Sequence, residues 1–156
     1  MDKLQKLRQK LAGIDLDAIM IASPINRRYI SGFTGSAGVV LVSQNDARFI
    51  TDFRYTEQAE AQAKEFDIIE HKEAIEKEVH HQLKQMNVKR VGFEKDYTTY
   101  AQYEIYQNNF DVELVPVSGL IEELRLVKSQ DELTIMKKAA EIVDQAFMHI
   151  QSYIKP

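Results

Sequence analysis

Cysteine is absent from this 156-residue chain. Without it, the chain cannot form disulfide bridges, thiolate nucleophiles or cysteine-ligated zinc sites. Long hydrophobic runs are also lacking: the longest are residues 18–22 and 39–42, whereas a membrane-spanning helix needs about 20 residues. The N-terminal segment MDKLQKLR is charged at helical spacing and contains no apolar core of a signal peptide. We therefore expect a cytoplasmic protein that has no membrane partner.

Neither sign of charge is in strong excess. Lys and Arg number 20, Asp and Glu number 24, and the formal net charge is −4. The basic residues are scattered along the chain, so no nucleic-acid partner is expected. Hydrophobic residues make up 44% and charged residues 28%, which is typical of a soluble globular protein with a sizeable core.

Short apolar runs alternate with amphipathic stretches along most of the chain. The predicted strands are residues 18–22, 38–43, 47–51, 66–69, 90–93 and 111–115. Apolar residues at steps of three and four indicate helices around them. The second and third strands form an antiparallel hairpin, whereas strand–helix–strand crossovers are parallel. The predicted fold class is α/β, with a mixed, mostly parallel-crossover sheet of about six strands flanked by helices.

Capping residues and prolines indicate where several elements begin or end. Ser23 is expected to cap a short helix that starts at Pro24. Pro116 is expected to limit the last strand, because proline cannot donate a hydrogen bond to a neighbouring strand. Ser129 and Glu132 have the spacing of a capping box, so a new helix should begin there.

The last helix has an unusually wide apolar surface. Between Leu133 and Ile154 its hydrophobic residues cover an arc of roughly 160°, at about 100° per residue. This pattern fits a C-terminal helix docked on its own sheet. It fits equally a linker helix whose other neighbour belongs to a further domain.

Common catalytic and metal-binding motifs are absent from the sequence. Its four histidines are not spaced as in H-E-x-x-H, and no G-x-S-x-G elbow or Walker A loop occurs. His80 and His81 lie on the polar side of a predicted helix and are expected to be solvated. Paired carboxylates for acid–base chemistry cannot be assigned from the sequence.

A glycine-rich segment, residues 32–38, contains three of the six glycines at a spacing of three. Glycine permits positive φ and close backbone approach, so such a loop can surround a phosphate or carboxylate. Phosphate loops run from a strand into a helix, whereas this segment runs from a helix into a strand. A tight loop with a different function is the favoured interpretation.

Two other groups each have a structural and a functional interpretation. Four tyrosines follow one another at three-residue steps from position 97 to position 106. Such a row could stack on a base or a cofactor. However, the four rings are spread around half the helix circumference, which favours packing within the domain with the hydroxyl groups at the surface. Asp52 and Arg54 follow the third strand, where they can pair with each other or present Arg54 to a carboxylate. The structural interpretation is favoured for both groups.

Three stretches together carry a family resemblance. They are SPINRRYISGFTGSAG at residues 23–38, FITDFRYTEQA at residues 49–59, and LRLVKSQDEL at residues 124–133 with its continuation to Phe147. They resemble the N-terminal domain of Xaa-Pro aminopeptidases and Xaa-Pro dipeptidases (prolidases), in the creatinase-like "pita-bread" metallopeptidase group. The order and spacing match over essentially the whole chain.

The resemblance implies a hydrolase that cleaves the bond between an N-terminal residue and a following proline. In this family two divalent ions, typically Mn²⁺ or Co²⁺, activate a bridging hydroxide. Their ligands lie in a C-terminal catalytic domain, so the resemblance assigns no catalytic residue, metal ligand or cofactor to this chain. The chain by itself is expected to be inactive.

For the N-terminal domain, the resemblance implies support of a dimer or higher assembly and restriction of substrate length near the active site. The implied partners are its own C-terminal domain, a second copy and proline-containing peptides. The implied gating residues are Gly32, Phe33, Thr34, Gly35, Ser36 and Arg54. Of these, Phe33 and Arg54 are expected to reach the cleft.

The domain division implied by the resemblance is an N-terminal α/β domain at 1–128 and the start of a linker helix at 129–156. Creatinase and a non-enzymatic binding module of the same architecture are the alternatives. The run TGSAG at residues 34–38 looks more like the peptidase branch than like creatinase.

Overall fold

Every predicted strand is present in the computed structural model, which describes residues 3–155. The elements, in chain order, are α1 Lys3–Ala12, β1 Ala18–Ile21, α2 Pro24–Ser31, β2 Val39–Ser43, β3 Ala47–Thr51, α3 Thr56–Gln62, β4 Asp67–Glu70, α4 Ile75–Gln85, β5 Arg90–Glu94, α5 Tyr100–Asn109, β6 Glu113–Val117, α6 Leu120–Leu126 and α7 Gln130–Gln151. No helix within residues 3–155 is both long enough and apolar enough to cross a membrane.

The strands form one six-stranded sheet in the order β4-β3-β2-β1-β5-β6. β2 runs antiparallel to both β1 and β3, and the remaining pairs are parallel. The mixed α/β class predicted from the sequence is therefore confirmed. Five of the six strands end at the same edge of the sheet, where only β2 begins, and we call it the carboxyl edge.

Successive side chains of a strand point to opposite faces of the sheet. Because these strands are apolar on both faces, helices cover both faces. Ile19 and Ile21 of β1 join the core formed with α1, α2, α3 and α6. Ala18 and Met20 of the same strand join a second core, formed with α4 and α5. The two cores hold the strand ends in place and so position the loops of the carboxyl edge.

Besides shifts of one or two residues in the strand bounds, two expectations about proline and capping residues differ from the structure. β6 does not stop before Pro116 but continues to Val117, and Pro116 lies opposite Phe93 of β5. This is possible because β6 is an edge strand with a neighbour on one side only, so it tolerates a missing N–H. The Ser23 side chain does not cap α2; its backbone N–H instead donates to Glu94 Oε2 at 2.8 Å.

The chain divides into two units, residues 1–124 and residues 125–156. The predicted boundary between residues 128 and 129 stays a prediction. Residues 1, 2 and 156, which belong to the two predicted domains, lie outside the described residues. In the second unit, α7 begins with the predicted capping box between Ser129 and Glu132. No residue of α7 is buried, and its large apolar side chains are exposed.

Candidate functional site

The glycine-rich segment lies at the carboxyl edge, between α2 and β2. Gly32 ends α2 in the left-handed conformation with φ of 76°, and its N–H donates to the Arg28 carbonyl. A side chain is strained at that φ, so glycine suits this helix end. From there residues 32–38, which we call the glycine loop, lead into β2.

Arg27 holds the glycine loop from within. It is buried, and its guanidinium donates to the carbonyl oxygens of Gly35 at 3.1 Å, Ser36 at 2.9 Å and Gly38 at 2.7 Å. Burial lowers the pKa of Arg27, because removal from water disfavours the charged form. The loop turns carbonyl oxygens inward, whereas a phosphate cradle requires N–H groups.

Phe33 fixes the loop to the core rather than projecting from it. Only 1% of its surface is exposed, and its ring centroid lies 4.6 Å from that of Phe49 and 5.8 Å from that of Tyr55. A Cβ at Gly35 would lie 2.7 Å from Phe33 Cε1 and 2.9 Å from Tyr55 Cδ1. The absence of a side chain at Gly35 therefore lets the loop close over the ring.

The outer side of the loop is attached to α3. The Thr34 amide donates to Gln62 Oε1 at 2.9 Å, and Gln58 Nε2 donates to the Thr34 hydroxyl at 3.0 Å. The Ser36 and Tyr55 hydroxyls lie 2.7 Å apart. Hydrogen bonds on both sides therefore hold the glycine loop in one conformation at the carboxyl edge.

Arg54 lies at the same edge, just beyond β3. Its Nε and Nη2 donate to the two carboxylate oxygens of Asp52 at 2.8 and 2.9 Å, so the predicted structural pair is confirmed. This bidentate hydrogen bonding lowers the pKa of Asp52 to about 2. The Arg54 side chain remains 63% exposed, so the pair presents an oriented guanidinium to solvent.

Exposed apolar side chains concentrate at this edge. Within residues 3–124, four large hydrophobic residues are more than half exposed: Ile25, Phe53, Tyr97 and Tyr100. They follow the carboxyl ends of β1, β3 and β5. Contiguous exposed apolar patches are typical of interaction surfaces. We call these four residues the apolar edge cluster.

Glu94, at the end of β5, organises the beginning of α2. Its Oε2 accepts from the amides of Ala22 at 2.7 Å and Ser23 at 2.8 Å, and its Oε1 accepts from Asn26 Nδ2 at 2.7 Å. Sequence reasoning assigned no role to Glu94 or Arg27. The available signal for Arg27 was its spacing of three from Ile30, which places it on the buried side of α2.

The predicted tyrosine and histidine placements hold only in part. Tyr106 is buried and Tyr103 packs against Phe93 with centroids 5.3 Å apart, whereas Tyr97 and Tyr100 are exposed. His80 is not fully solvated, because its ring stacks parallel to Phe110 at 6.3 Å. His80 lies within α4 and Phe110 directly follows α5, so the contact comes from the packing of α4 against α5, which the sequence pattern alone did not reveal.

The described residues do not fit a metal centre. Across positions 3–155, no group of three or more His, Asp or Glu side chains is arranged to hold an ion. No step of metal-assisted hydrolysis is therefore assigned to the side chains of these residues.

The fold and its ordered loop define a known class of domain. Residues 3–127 match the creatinase/prolidase N-terminal domain model, and the chain belongs to that family. An uncharacterized peptidase of Bacillus subtilis, YqhT, is 46% identical over 155 residues, covering 99% of this chain and 44% of the relative.

Solved structures of such peptidases share the architecture. An Xaa-Pro dipeptidase from Bacillus anthracis superposes with a TM-score of 0.96 at 45% identity, covering 99% of this chain and 43% of that one. The N-terminal domain of the cytoplasmic peptidase PepQ from Mycobacterium tuberculosis gives a TM-score of 0.72 at 33% identity, covering 78% and 97%. The chain thus spans less than half the length of the curated relatives it matches.

Proposed function

We propose that this domain serves a cytoplasmic Xaa-Pro-specific metallopeptidase, an aminopeptidase or dipeptidase, by supporting oligomerisation and limiting substrate length. Hydrolysis belongs to a C-terminal catalytic domain that holds two divalent ions, Mn²⁺ or Co²⁺. The linker helix from residue 129 joins the two domains. The observation that carries the proposal is the ordered glycine loop beside Arg54 at the carboxyl edge.

The attachment of the glycine loop supports a gating role. A loop held by Arg27 inside and by Gln62 outside keeps one shape, so it can exclude long peptides by steric contact. Arg54 adds a guanidinium that can meet a peptide carboxylate through its remaining N–H groups. Short Xaa-Pro substrates present that carboxylate close to the scissile bond.

The apolar edge cluster supports an oligomerisation role. Phe53 is 76% exposed and lies next to Arg54, and an aromatic residue beside an arginine is typical of protein–protein interfaces. A second copy that covers this edge would bring the glycine loop of one subunit near the catalytic domain of the other.

A domain exchange tests the proposal. Residues 3–151 of this chain replace the equivalent N-terminal domain of the Bacillus anthracis Xaa-Pro dipeptidase, with which they share 45% identity. We expect the chimera, supplied with Mn²⁺, to hydrolyse Xaa-Pro dipeptides, and the chain alone to hydrolyse none. Arg54→Ala in the chimera should raise KM for dipeptides and reduce the preference for dipeptides over longer Xaa-Pro peptides.

Arg28→Ala is the matched control, because Arg28 is an exposed arginine of the same region. It should leave the length preference unchanged. Equal dipeptide preference in the Arg54→Ala and unsubstituted chimeras would overturn the gating role. Mn²⁺-dependent turnover by the isolated chain would contradict the assignment of hydrolysis to another domain.

A further inference from the structure

A cleft of about 380 Å³ opens at the carboxyl edge between α4 and α5. It lies within the first unit, on the sheet face opposite Phe33, and its wall includes Ala37 and Gly38 of the glycine loop. In open α/β sheets, ligands bind preferentially at the carboxyl ends of the strands. The volume is within the range of small-molecule sites. We call it the α4–α5 cleft.

The floor of the α4–α5 cleft is apolar. Met20 of β1, Val39 of β2 and Val79 of α4 line it and are each at least nine-tenths buried. Tyr106 closes the floor from α5 with only 5% of its surface exposed. A ligand that fills this space must therefore carry an apolar body.

The rim is acidic and aromatic. Glu73, Glu76 and Tyr97 line it, and none of the lining residues described within 3–155 is a Lys or Arg. Glu73 is paired with Lys77, whereas Glu76 has no Lys or Arg side chain beside it among the described lining residues. Gln102 donates to Glu76 Oε1 at 3.2 Å and holds that carboxylate at the cleft wall.

The electrostatic environment of Tyr106 is negative, like that of the cleft rim. Burial, together with the negative charges of Glu76 and Glu94, raises the pKa of Tyr106 to about 12. A negative potential that disfavours a phenolate favours a bound cation. Tyr97 and Tyr106 also line the cleft, and aromatic rings attract a cation placed over their faces.

Three nearby groups could favour an anion instead, but each already has partners within the domain or lies outside the lining. The α4 N-terminus opens here, but its first turn carries Glu76 and Glu78, which complement the helix dipole. His71 Nδ1 lies 2.7 Å from the Glu73 carbonyl oxygen. Arg27 does not line the cleft, and its guanidinium bonds to loop carbonyl oxygens.

We propose that the α4–α5 cleft binds a small organic cation with an apolar body, of the arylalkylammonium class. The apolar group occupies the floor over Met20 and Val79, and the ammonium group lies between Glu76 and Tyr97. The cleft shares Ala37 and Gly38 with the glycine loop and Tyr97 with the apolar edge cluster. The proposal does not depend on the gating role, because it is argued from the cleft lining alone and is tested on the isolated chain.

The test is a titration of the ¹⁵N-labelled chain, followed by amide chemical shifts. The probes are phenethylammonium, the uncharged 2-phenylethanol and the anionic 3-phenylpropionate, which have similar shapes and different charges. We expect saturable shifts at Gly38, Glu76 and Gln102 with phenethylammonium, and much weaker binding of the other two probes.

Two variants assign the cation contacts. Glu76→Gln should weaken phenethylammonium binding by about threefold to fivefold, the loss expected for one partly exposed charge pair. Tyr97→Leu should weaken it by about threefold, as for loss of a cation–π contact. Dispersed amide spectra establish that each variant is folded. The matched control is Glu60→Gln, which changes an exposed glutamate of α3, outside the cleft.

Four results would overturn the proposal. They are the absence of saturable shifts with phenethylammonium, equal binding of all three probes, tighter binding of 3-phenylpropionate, and equal weakening by Glu76→Gln and Glu60→Gln. Because no peptide hydrolysis is measured, these outcomes are independent of the domain-exchange result.

Discussion

Arg27 and Gly38 are joined by a 2.7 Å hydrogen bond from the guanidinium to the carbonyl oxygen. The bond connects the helix before the glycine loop to the residue at its end. Because Arg27 also bonds to the carbonyls of Gly35 and Ser36, one buried side chain sets the path of the loop. The conformation of the glycine loop therefore depends on a buried arginine that lies beneath it.

Arg27→Met should destabilise the domain strongly. Methionine retains much of the side-chain bulk but leaves the carbonyls of residues 35, 36 and 38 without their donor. Charge-assisted hydrogen bonds of this kind are worth about 1.5–3 kcal/mol each and are not additive, so we expect a loss of about 3 kcal/mol. Urea unfolding of the isolated chain measures it.

The control for this change is Arg28→Met, in the next and exposed position. It should alter the free energy of unfolding by no more than about 0.5 kcal/mol. Similar urea midpoints for the two variants would show that Arg27 does not hold the loop.

Gly35→Ala should destabilise the domain by about 1–3 kcal/mol through overpacking. The added Cβ would meet Phe33 and Tyr55 at less than 3.0 Å, and Phe33 has no room to move within the core. Thermal unfolding measures the change. Gly13→Ala is the matched control, because its nearest neighbour is the Lys10 carbonyl oxygen at an ordinary 3.4 Å. A melting temperature that falls equally in both variants would contradict the packing argument.

Acid should remove the stabilisation contributed by Asp52. Arg54 lowers the pKa of Asp52 from 3.8 to about 2 in the folded chain. A depressed folded-state pKa stabilises the protein above the unfolded-state pKa, and the stabilisation is lost as the pH falls from about 4 to about 2. The stability difference between the unsubstituted chain and Asp52→Asn should therefore shrink over that interval, as measured by urea unfolding at each pH.

Arg54→Gln tests the cause of that shift. Without the guanidinium, the pKa of Asp52 should rise toward its ordinary value, as followed by ¹³C chemical shifts of the carboxyl group during an acid titration. An unchanged titration curve for Asp52 would mean that Arg54 is not the source.

Phe53→Ser should weaken self-association of the domain-exchange chimera without unfolding the domain. Phe53 is 76% exposed, so it contributes little to the core, whereas an exposed aromatic residue is typical of an interface anchor. Sedimentation velocity measures the association and circular dichroism the fold. Ile14→Ser, at the opposite edge of the sheet, should leave association unchanged. An assembly that withstands Phe53→Ser would exclude this edge as the interface anchor.

Much of the fold could be predicted because its signals are local. Short apolar runs located all six strands, and apolar residues at steps of three and four located the helices between them. The Ser129–Glu132 capping box began α7 at the predicted residue. These features depend on neighbours only a few positions away in the chain. The glycine loop was also recognised, because glycine at a fixed spacing is visible in the sequence itself.

The roles of particular residues in the loop depended on distant partners. Phe33 is buried because β3 places Phe49 beneath it, and Glu94 replaces the expected Ser23 cap because β5 lies beside β1. Pro116 stays within β6 because β6 is the last strand of the sheet. None of these neighbours can be read from local spacing.

The sequence by itself determined the class of elements, their order and the family to which the domain belongs. Only the tertiary structure decided which loop residues are buried, which are exposed, and that an acidic cleft lies behind the glycine loop. The physical reason is that periodicity and capping act within a few residues. Burial and hydrogen-bond pairing at the carboxyl edge depend instead on which strands become neighbours when the sheet forms.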